Sequence, residues 1–492
     1  MKLSRPVLAA ATAVALVGGS FTAVNSSPVI APLVDETNTT VTDNTDDTAA
    51  PDARTPGTEA EADAEADAEA DTEANAANAA DAPEGAVADD PSNPATVPGD
   101  LDQLIDQPVP EEIAREAEFA PDNAAVAPNP GEMRRLTSAP KMVGSPEKQG
   151  WFGQRGVEAW EVFSPSMNRW IPVAIIPATG PDKTTRVANA PTLYMLNGAG
   201  GSEQDADWIY RGGADEYFPG QGVNIVVPME GAFSYYVDWL TDGETLNARS
   251  PYFKGAQKWT TFLGRELREP VENYLGADKS KRGVVGMSMS ATSSLLLAEH
   301  YPGEYQAVGS FSGCAATSTP IPWAFASLTI NRSASSGETI TPAHAWGPMG
   351  SPYNRYNDAL VNAEKLEGSA LYISNASGLA AMHDMYGYRV GQRGQSPAGA
   401  ISGSMTTTVE GGVIEAATNA CTHDLRAKLN GLNIPAHFEF RNAGTHSWPV
   451  WEDDMRRSWE TVIGPALLGD KFVAPEEELP EVSSWNADKS SN

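Results

Sequence analysis

The chain has 492 residues and a formal net charge of −32. That charge is concentrated, because residues 31–130 hold 26 acidic side chains and 2 basic ones. With no basic cluster anywhere, the sequence argues against nucleic acid as a partner.

Residues 1–30 read as an export signal. Lys2 and Arg5 form a basic start, Pro6 to Val17 is apolar, and the small residues around Phe21-Thr22-Ala23 suit a signal peptidase. The apolar run is shorter than the ~20 residues that cross a bilayer, so a secreted or cell-envelope location is expected, with an uncleaved anchor as the alternative. Residues 31–130 form an acidic, Ala/Asp/Glu-rich tail containing the repeat Glu61-Ala-Asp-Ala-Glu-Ala-Asp-Ala-Glu. Like charges at short spacing repel, and large apolar side chains are too few to offset the chain entropy lost on folding, so a disordered tether is expected. A transient helix near Glu111 to Phe119 is the competing reading.

From residue 131 to 470 short apolar runs alternate with helical stretches. Strands are expected at Ile171–Pro177, Thr192–Leu196, Val223–Pro228, Gly283–Met287, Ala307–Phe311, Leu371–Ser374 and Ala436–Phe440. Helices are expected at Trp259–Tyr274, Ser290–His300, Tyr356–Lys365 and Gly412–Leu432. This alternation implies a mostly parallel central sheet flanked by helices, an α/β architecture. Residues 471–492 turn acidic and read as a frayed C-terminal tail. Cys314 and Cys421 are the only cysteines. In an exported chain such a pair is expected to be a disulfide, with two free thiols as the alternative.

The most informative stretch runs from Gly283 through Val284, Val285 and Gly286 to Met287-Ser288-Met289-Ser290. A β-branched pair, a glycine, a serine two residues later and an immediate helical sequence make the strand–turn–helix of a nucleophile elbow, the mark of the α/β-hydrolase fold. Ser288 is the candidate nucleophile, and the Met289 N–H at the helix start is a candidate oxyanion donor. The motif is Gly-x-Ser-x-Ser, and a serine-rich helix cap is the bland alternative.

An alcohol nucleophile needs a base, and on this fold the chain order is serine, acid, histidine. Of the six histidines, His446 lies in a loop directly after the last expected strand, where such a base belongs. Glu415, Glu410, Asp424 and Asp384 all lie between serine and histidine as candidate acids, and spacing does not separate them.

Asn197-Gly-Ala-Gly-Gly, Val237-Asp-Trp, Lys258-Trp-Thr-Thr-Phe-Leu, Val285-Gly-Met-Ser-Met-Ser and Gly444-Thr-His-Ser-Trp-Pro-Val-Trp occur in this order. Together they resemble the secreted mycolyltransferases of the antigen 85 type, particularly the corynebacterial trehalose mycolyltransferases, over about Thr137 to Leu468. The resemblance implies a serine-dependent acyltransferase with Ser288 as nucleophile, His446 as base and Glu415, ahead of Thr418-Asn419, as acid. It also implies an oxyanion hole from the N–H groups of Ala199 and Met289, and substrate contacts from Asn197, Gly200 and Trp448. The implied donor is trehalose monomycolate. The implied acceptor is a glycolipid, arabinogalactan or a protein hydroxyl, among cell-envelope lipids, with neither cofactor nor metal. Where relatives that make trehalose dimycolate commonly carry Asp-Gly-Leu-Arg, this chain has Asn197-Gly-Ala-Gly, so a carboxylate and an arginine for a sugar are missing. The longer stretch Ser318–Gly368 is expected to cover the lipid groove. A plain secreted carboxylesterase and a non-catalytic envelope-binding protein of the same fold are the alternative functions.

Overall fold

Short, apolar, β-branched runs make the centre of the molecule. In the computed structural model, which describes residues 131–143 and 149–474, nine strands form a single sheet in the order β1-β2-β3-β5-β4-β6-β7-β8-β9. These are β1 (Met133–Arg135), β2 (Glu158–Ser164), β3 (Arg169–Ile176), β4 (Thr192–Leu196), β5 (Asn224–Pro228), β6 (Arg282–Met287), β7 (Ala307–Phe311), β8 (Ala370–Asn375) and β9 (His437–Phe440). The β1–β2–β3–β5 edge is antiparallel, and from β5 through β9 every pairing is parallel.

Strand periodicity divides the core in two. Tyr194, Leu196 and Val284 face one apolar layer, while their neighbours Leu193, Met195 and Val285 face the other. Both faces are therefore covered by helices, as a parallel sheet requires. On the first face lie α1 (Arg268–Leu275), α2 (Met289–His300) and α3 (Pro320–Asn331), together with the far half of α6 (Gly412–Leu432). Between α3 and α6 come α4 (Tyr386–Gly391) and α5 (Pro397–Thr406). On the second face α7 (Trp448–Ser458) buries Val450, Trp451 and Met455. This is the α/β-hydrolase architecture expected from the alternation of elements.

Three expectations change. The Trp259–Tyr274 helix is interrupted by a π turn at Phe262–Glu266, where Gly264 meets the ring of Tyr301 so closely that a Cβ would lie 1.9 Å from it. Tyr356–Lys365 is not one helix. A short helix ends at Tyr356 and a separate 3-10 turn covers Ala363–Leu366, because Asp358 Oδ1 accepts the N–H of Val361 and its Oδ2 accepts those of Thr317 and Ser318. A side chain that captures backbone donors competes with helix formation. Strands β1 and β2, which have no uniform apolar run, were not expected. The export signal, the acidic tether and residues 475–492 of the expected tail lie outside the described residues. Among the described residues no helix is long and apolar enough to cross a membrane.

Candidate active site

The parallel strands β6 to β9 all deliver their C-terminal ends to one rim of the sheet, where α/β folds place their ligand crevices. At the end of β6 the chain turns directly into α2. Ser288 occupies that turn with φ of 55°, in the left-handed region, a conformation costly for a side chain and characteristic of functional turns. Gly286 makes the turn possible, since a Cβ there would lie 2.1 Å from the carbonyl oxygen of Ser290. Ser290 itself is used structurally. Its Oγ accepts the Met287 N–H at 3.0 Å and donates to the Leu196 carbonyl at 2.8 Å, which ties the turn to β4.

His446 Nε2 lies 2.7 Å from Ser288 Oγ, across 158 residues of sequence. On the other side of the ring, Nδ1 lies 2.8 Å from Glu415 Oε2. Glu415, in the first turn of α6, is fully buried. Its Oε1 accepts from Ser312 Oγ at 2.8 Å, Asn375 Nδ2 at 3.0 Å and the Ala376 N–H at 2.7 Å. Three donors from the ends of β7 and β8 thus fix the carboxylate and leave one oxygen for the imidazole. The structure brings Ser288, His446 and Glu415 together in hydrogen-bond sequence. Glu410 sits on the cleft rim and Asp424 on the exposed face of α6. No other histidine is hydrogen-bonded to Ser288: His300, for instance, stacks on Tyr356 and is held neutral, its pKa lowered by burial to about 4.

Asp384, the remaining acid candidate, serves the same loop differently. Its Oδ1 accepts the hydroxyl of Thr445 at 2.7 Å and its Oδ2 the N–H of Ala381 at 2.8 Å. On the far side of the histidine, Ser447 Oγ lies 3.4 Å from His383 Nε2. His446 is therefore flanked by two residues anchored to the buried His383 and Asp384 of one 3-10 turn, while its own N–H donates to the Gly411 carbonyl at 3.0 Å. Sequence reasoning missed this clamp and the Ser312–Asn375 support of Glu415. The signal available for the first was the pair of hydroxyl residues on either side of His446.

The loop after β4 passes over the nucleophile, with the Cβ direction of Gly198 reaching 3.7 Å from Ser288 Cβ. Ala199 in that loop accepts the Phe233 N–H, and Met289 is the first residue of α2. Of the three residues expected to contact substrate, none lines the cleft. Asn197 is buried with its side chain spent inside the protein, Nδ2 donating to the Pro228 carbonyl and Oδ1 accepting the Trp208 N–H. Trp448 packs edge-on against Trp208 and Trp451 and does not line the cleft. At Gly200 the Gln204 side chain stands where a Cβ would point.

From Ser288 and His446 an open cleft with a volume of about 200 Å³ leads away between α3 and α6. Its walls are mostly apolar, with Phe325, Ala326 and Leu328 from α3 facing Val413, Ile414 and Ala417 from α6. The Ser318–Gly368 stretch thus supplies one wall of the groove. Cys314 and Cys421 form a disulfide. It joins the segment after β7 to α6, the helix that carries Glu415, and closing a loop of 107 residues stabilises the fold by about 5 kcal/mol on the loop-entropy account.

The Esterase family model matches residues 164–460. The diacylglycerol acyltransferase/mycolyltransferase Ag85A of Mycobacterium tuberculosis is 28% identical over 338 residues, which span 66% of this chain and 90% of the relative. Ag85C of Mycobacterium avium is 27% identical over 342 residues, spanning 69% and 87%. Among solved structures, Mycobacterium tuberculosis MPT51 is similar at 21% identity and a TM-score of 0.47, covering 62% of this chain and 96% of its own. With the family match running from the end of β2 through α7 and covering strands β3 to β9, this chain belongs to the Esterase family and is a serine-type acyl-transfer enzyme.

Proposed function

We propose that this enzyme moves a mycolyl group from trehalose monomycolate, through an ester on Ser288, to a second hydroxyl in the cell envelope. The observation that carries this reading is the Ser288–His446–Glu415 relay, with contacts of 2.7 and 2.8 Å, at the end of a mostly apolar cleft. The names of its relatives, diacylglycerol acyltransferase/mycolyltransferase, support the choice of acyl group.

In the first half-reaction the Ser288 hydroxyl attacks the donor's ester carbonyl while His446 Nε2 takes its proton. Glu415 holds the imidazole in the tautomer that leaves Nε2 free and stabilises the resulting imidazolium. The Met289 N–H and the Ala199 N–H are assigned to the oxyanion, and losing one such donor costs roughly 3–4 kcal/mol of transition-state stabilisation. His446 returns the proton to the departing trehalose oxygen. In the second half-reaction an acceptor hydroxyl gives its proton to His446 and attacks the acyl carbonyl, and His446 passes that proton to the departing Ser288 oxygen. The acceptor is a second trehalose monomycolate, arabinogalactan or a protein hydroxyl. Transfer in place of hydrolysis requires an acceptor positioned better than water. Residues 1–30 support export, and residues 31–130 are assigned the role of a spacer between the catalytic domain and the envelope.

Mass spectrometry of the products formed from trehalose monomycolate tests the reading. Wild type should yield a product carrying a second acyl chain, and Ser288→Ala should yield none. Free acid alone would make the enzyme an esterase, and an unlabelled Ser288 after treatment of folded protein with a serine-directed phosphonate would remove the covalent mechanism altogether.

A further inference from the structure

Helix α5, the π turn Thr407–Gly411 and α6 run on without a break toward the cleft. Along them four apolar side chains stand in solvent: Ile401 at 53% exposure, Met405 at 64%, Val409 at 44% and Ile414 at 40%. Their spacing is four, four and five residues. The five-residue step crosses the π turn, whose hydrogen bonds span one residue more than an α turn. Ile414, the last of the four, is also a wall of the cleft. The stripe is therefore continuous with the groove that opens on Ser288. Beside it, Leu379, Met382, Met385 and Tyr386 are exposed as well, and Arg389 of α4 ties that segment to the π turn through a 3.0 Å bond to Thr407 Oγ1.

A contiguous apolar face of this kind on a water-soluble domain marks an interaction surface. Charge identifies its occupant. From Met385 to Val409 the only ionisable charges are Arg389 and Arg393, and Arg393 is paired with Glu452. Glu410, beside Val409 on the cleft rim, is the one carboxylate within the stripe, and Asp384 in the neighbouring segment is buried, although the chain carries −32. Two copies of so anionic a chain repel one another, which disfavours self-association, whereas an apolar, methionine-rich face conforms well to alkyl chains. Resting on the acyl-transfer reading above, we propose that the Ile401–Ile414 stripe with the Leu379–Tyr386 segment docks the enzyme on a lipid layer, so that an acyl chain passes from that layer along the stripe into the cleft without crossing water.

Flotation of the full-length protein with phosphatidylcholine vesicles tests this, comparing wild type with the Ile401→Gln, Met405→Gln, Val409→Gln triple variant. None of the three side chains lines the cleft, and glutamine keeps helix propensity. The vesicle-bound fraction, and turnover of a long-chain ester dispersed in the vesicles, should each fall about tenfold or more in the variant. Turnover of the soluble ester p-nitrophenyl butyrate should stay within about twofold, as for surface substitutions, which also reports that the variant is folded. Wild type that remains with the soluble fraction, or a triple variant that floats like wild type, overturns the proposal. So does a dimer seen in sedimentation and lost in the variant, which would assign the face to a second copy. Failure of the acyl-transfer reading is seen separately, as absent butyrate turnover in wild type.

Discussion

Replacing Glu415 by glutamine isolates the electrostatic part of the relay. The side chain keeps its shape, and its amide oxygen can go on accepting from Ser312, Asn375 and Ala376, the three donors now at 2.7–3.0 Å from Oε1. The amide nitrogen must then face His446 Nδ1, where a carboxylate oxygen now sits at 2.8 Å. Two N–H groups cannot point at each other, so Nδ1 becomes the acceptor and the imidazole proton moves to Nε2, toward Ser288. In that tautomer the ring cannot take the serine proton, and the carboxylate that would offset the imidazolium is gone. An analogous carboxylate-to-amide change in a serine protease lowers kcat roughly 10⁴-fold, so we expect a loss of about 10³–10⁴, or about 4–5 kcal/mol at the barrier. Because the three donors remain satisfied, the denaturation midpoint should barely move. Glu415→Ala, by contrast, leaves three buried donors unpaired and should destabilise the fold by several times the roughly 1–3 kcal/mol of one unsatisfied group. The assay is steady-state hydrolysis of p-nitrophenyl butyrate alongside urea unfolding. A Glu415→Gln enzyme within about tenfold of wild-type kcat, at unchanged stability, would refute the tautomer argument.

Asp384→Asn weakens the anchor of Thr445 while leaving Ser288, Glu415 and the cleft untouched. kcat should fall about tenfold with KM unchanged, as for a mispositioned base, and a loss confined to stability would show that Asp384 only supports the fold. Gly286→Ala forces a Cβ to within 2.1 Å of the Ser290 carbonyl, so labelling of Ser288 by a phosphonate should be abolished; normal labelling would mean that the elbow tolerates the clash. Replacing Cys314 and Cys421 together by serine should cost about 2–5 kcal/mol in unfolding free energy, and a null effect on the midpoint would contradict the assigned role. His300 is held neutral by burial, its pKa lowered from 6.5 to about 4, so its contribution to stability is complete above pH 6.5 and is lost as pH falls toward 4. At about 1.4 kcal/mol per pKa unit this amounts to about 3 kcal/mol. Urea unfolding between pH 7 and 4 should be less steeply pH-dependent in His300→Gln, and an unaltered slope would count against the buried neutral ring.

Much of the site was legible because its chemistry is written locally. A strand, a glycine, a serine and a helix within a dozen residues specify the elbow at Ser288, since the backbone there obeys steric rules that need no distant partner. The chain order of serine, acid and histidine, and the position of His446 after the last strand, follow from how a parallel sheet collects its strand ends on one rim. The parallel strands themselves, from Thr192–Leu196 to Ala307–Phe311, are apolar on both faces and declare themselves for the same reason. The edge strands β1 and β2 lack such a run and did not.

What only the tertiary structure decided is which groups meet. Four candidate carboxylates lay between serine and histidine, and nothing in their spacing ranked them. Glu415 is set apart by Ser312, Asn375 and Ala376, three donors from two other strands that converge on one oxygen, while Asp384 is drawn to Thr445. Asn197 sits in the right loop for a substrate contact, yet its amide is satisfied by Pro228 and Trp208, brought close by the neighbouring strand and the following turn. Hydrogen-bond satisfaction in a buried rim is a property of several chain segments at once, and a linear sequence does not contain it until the sheet has assembled.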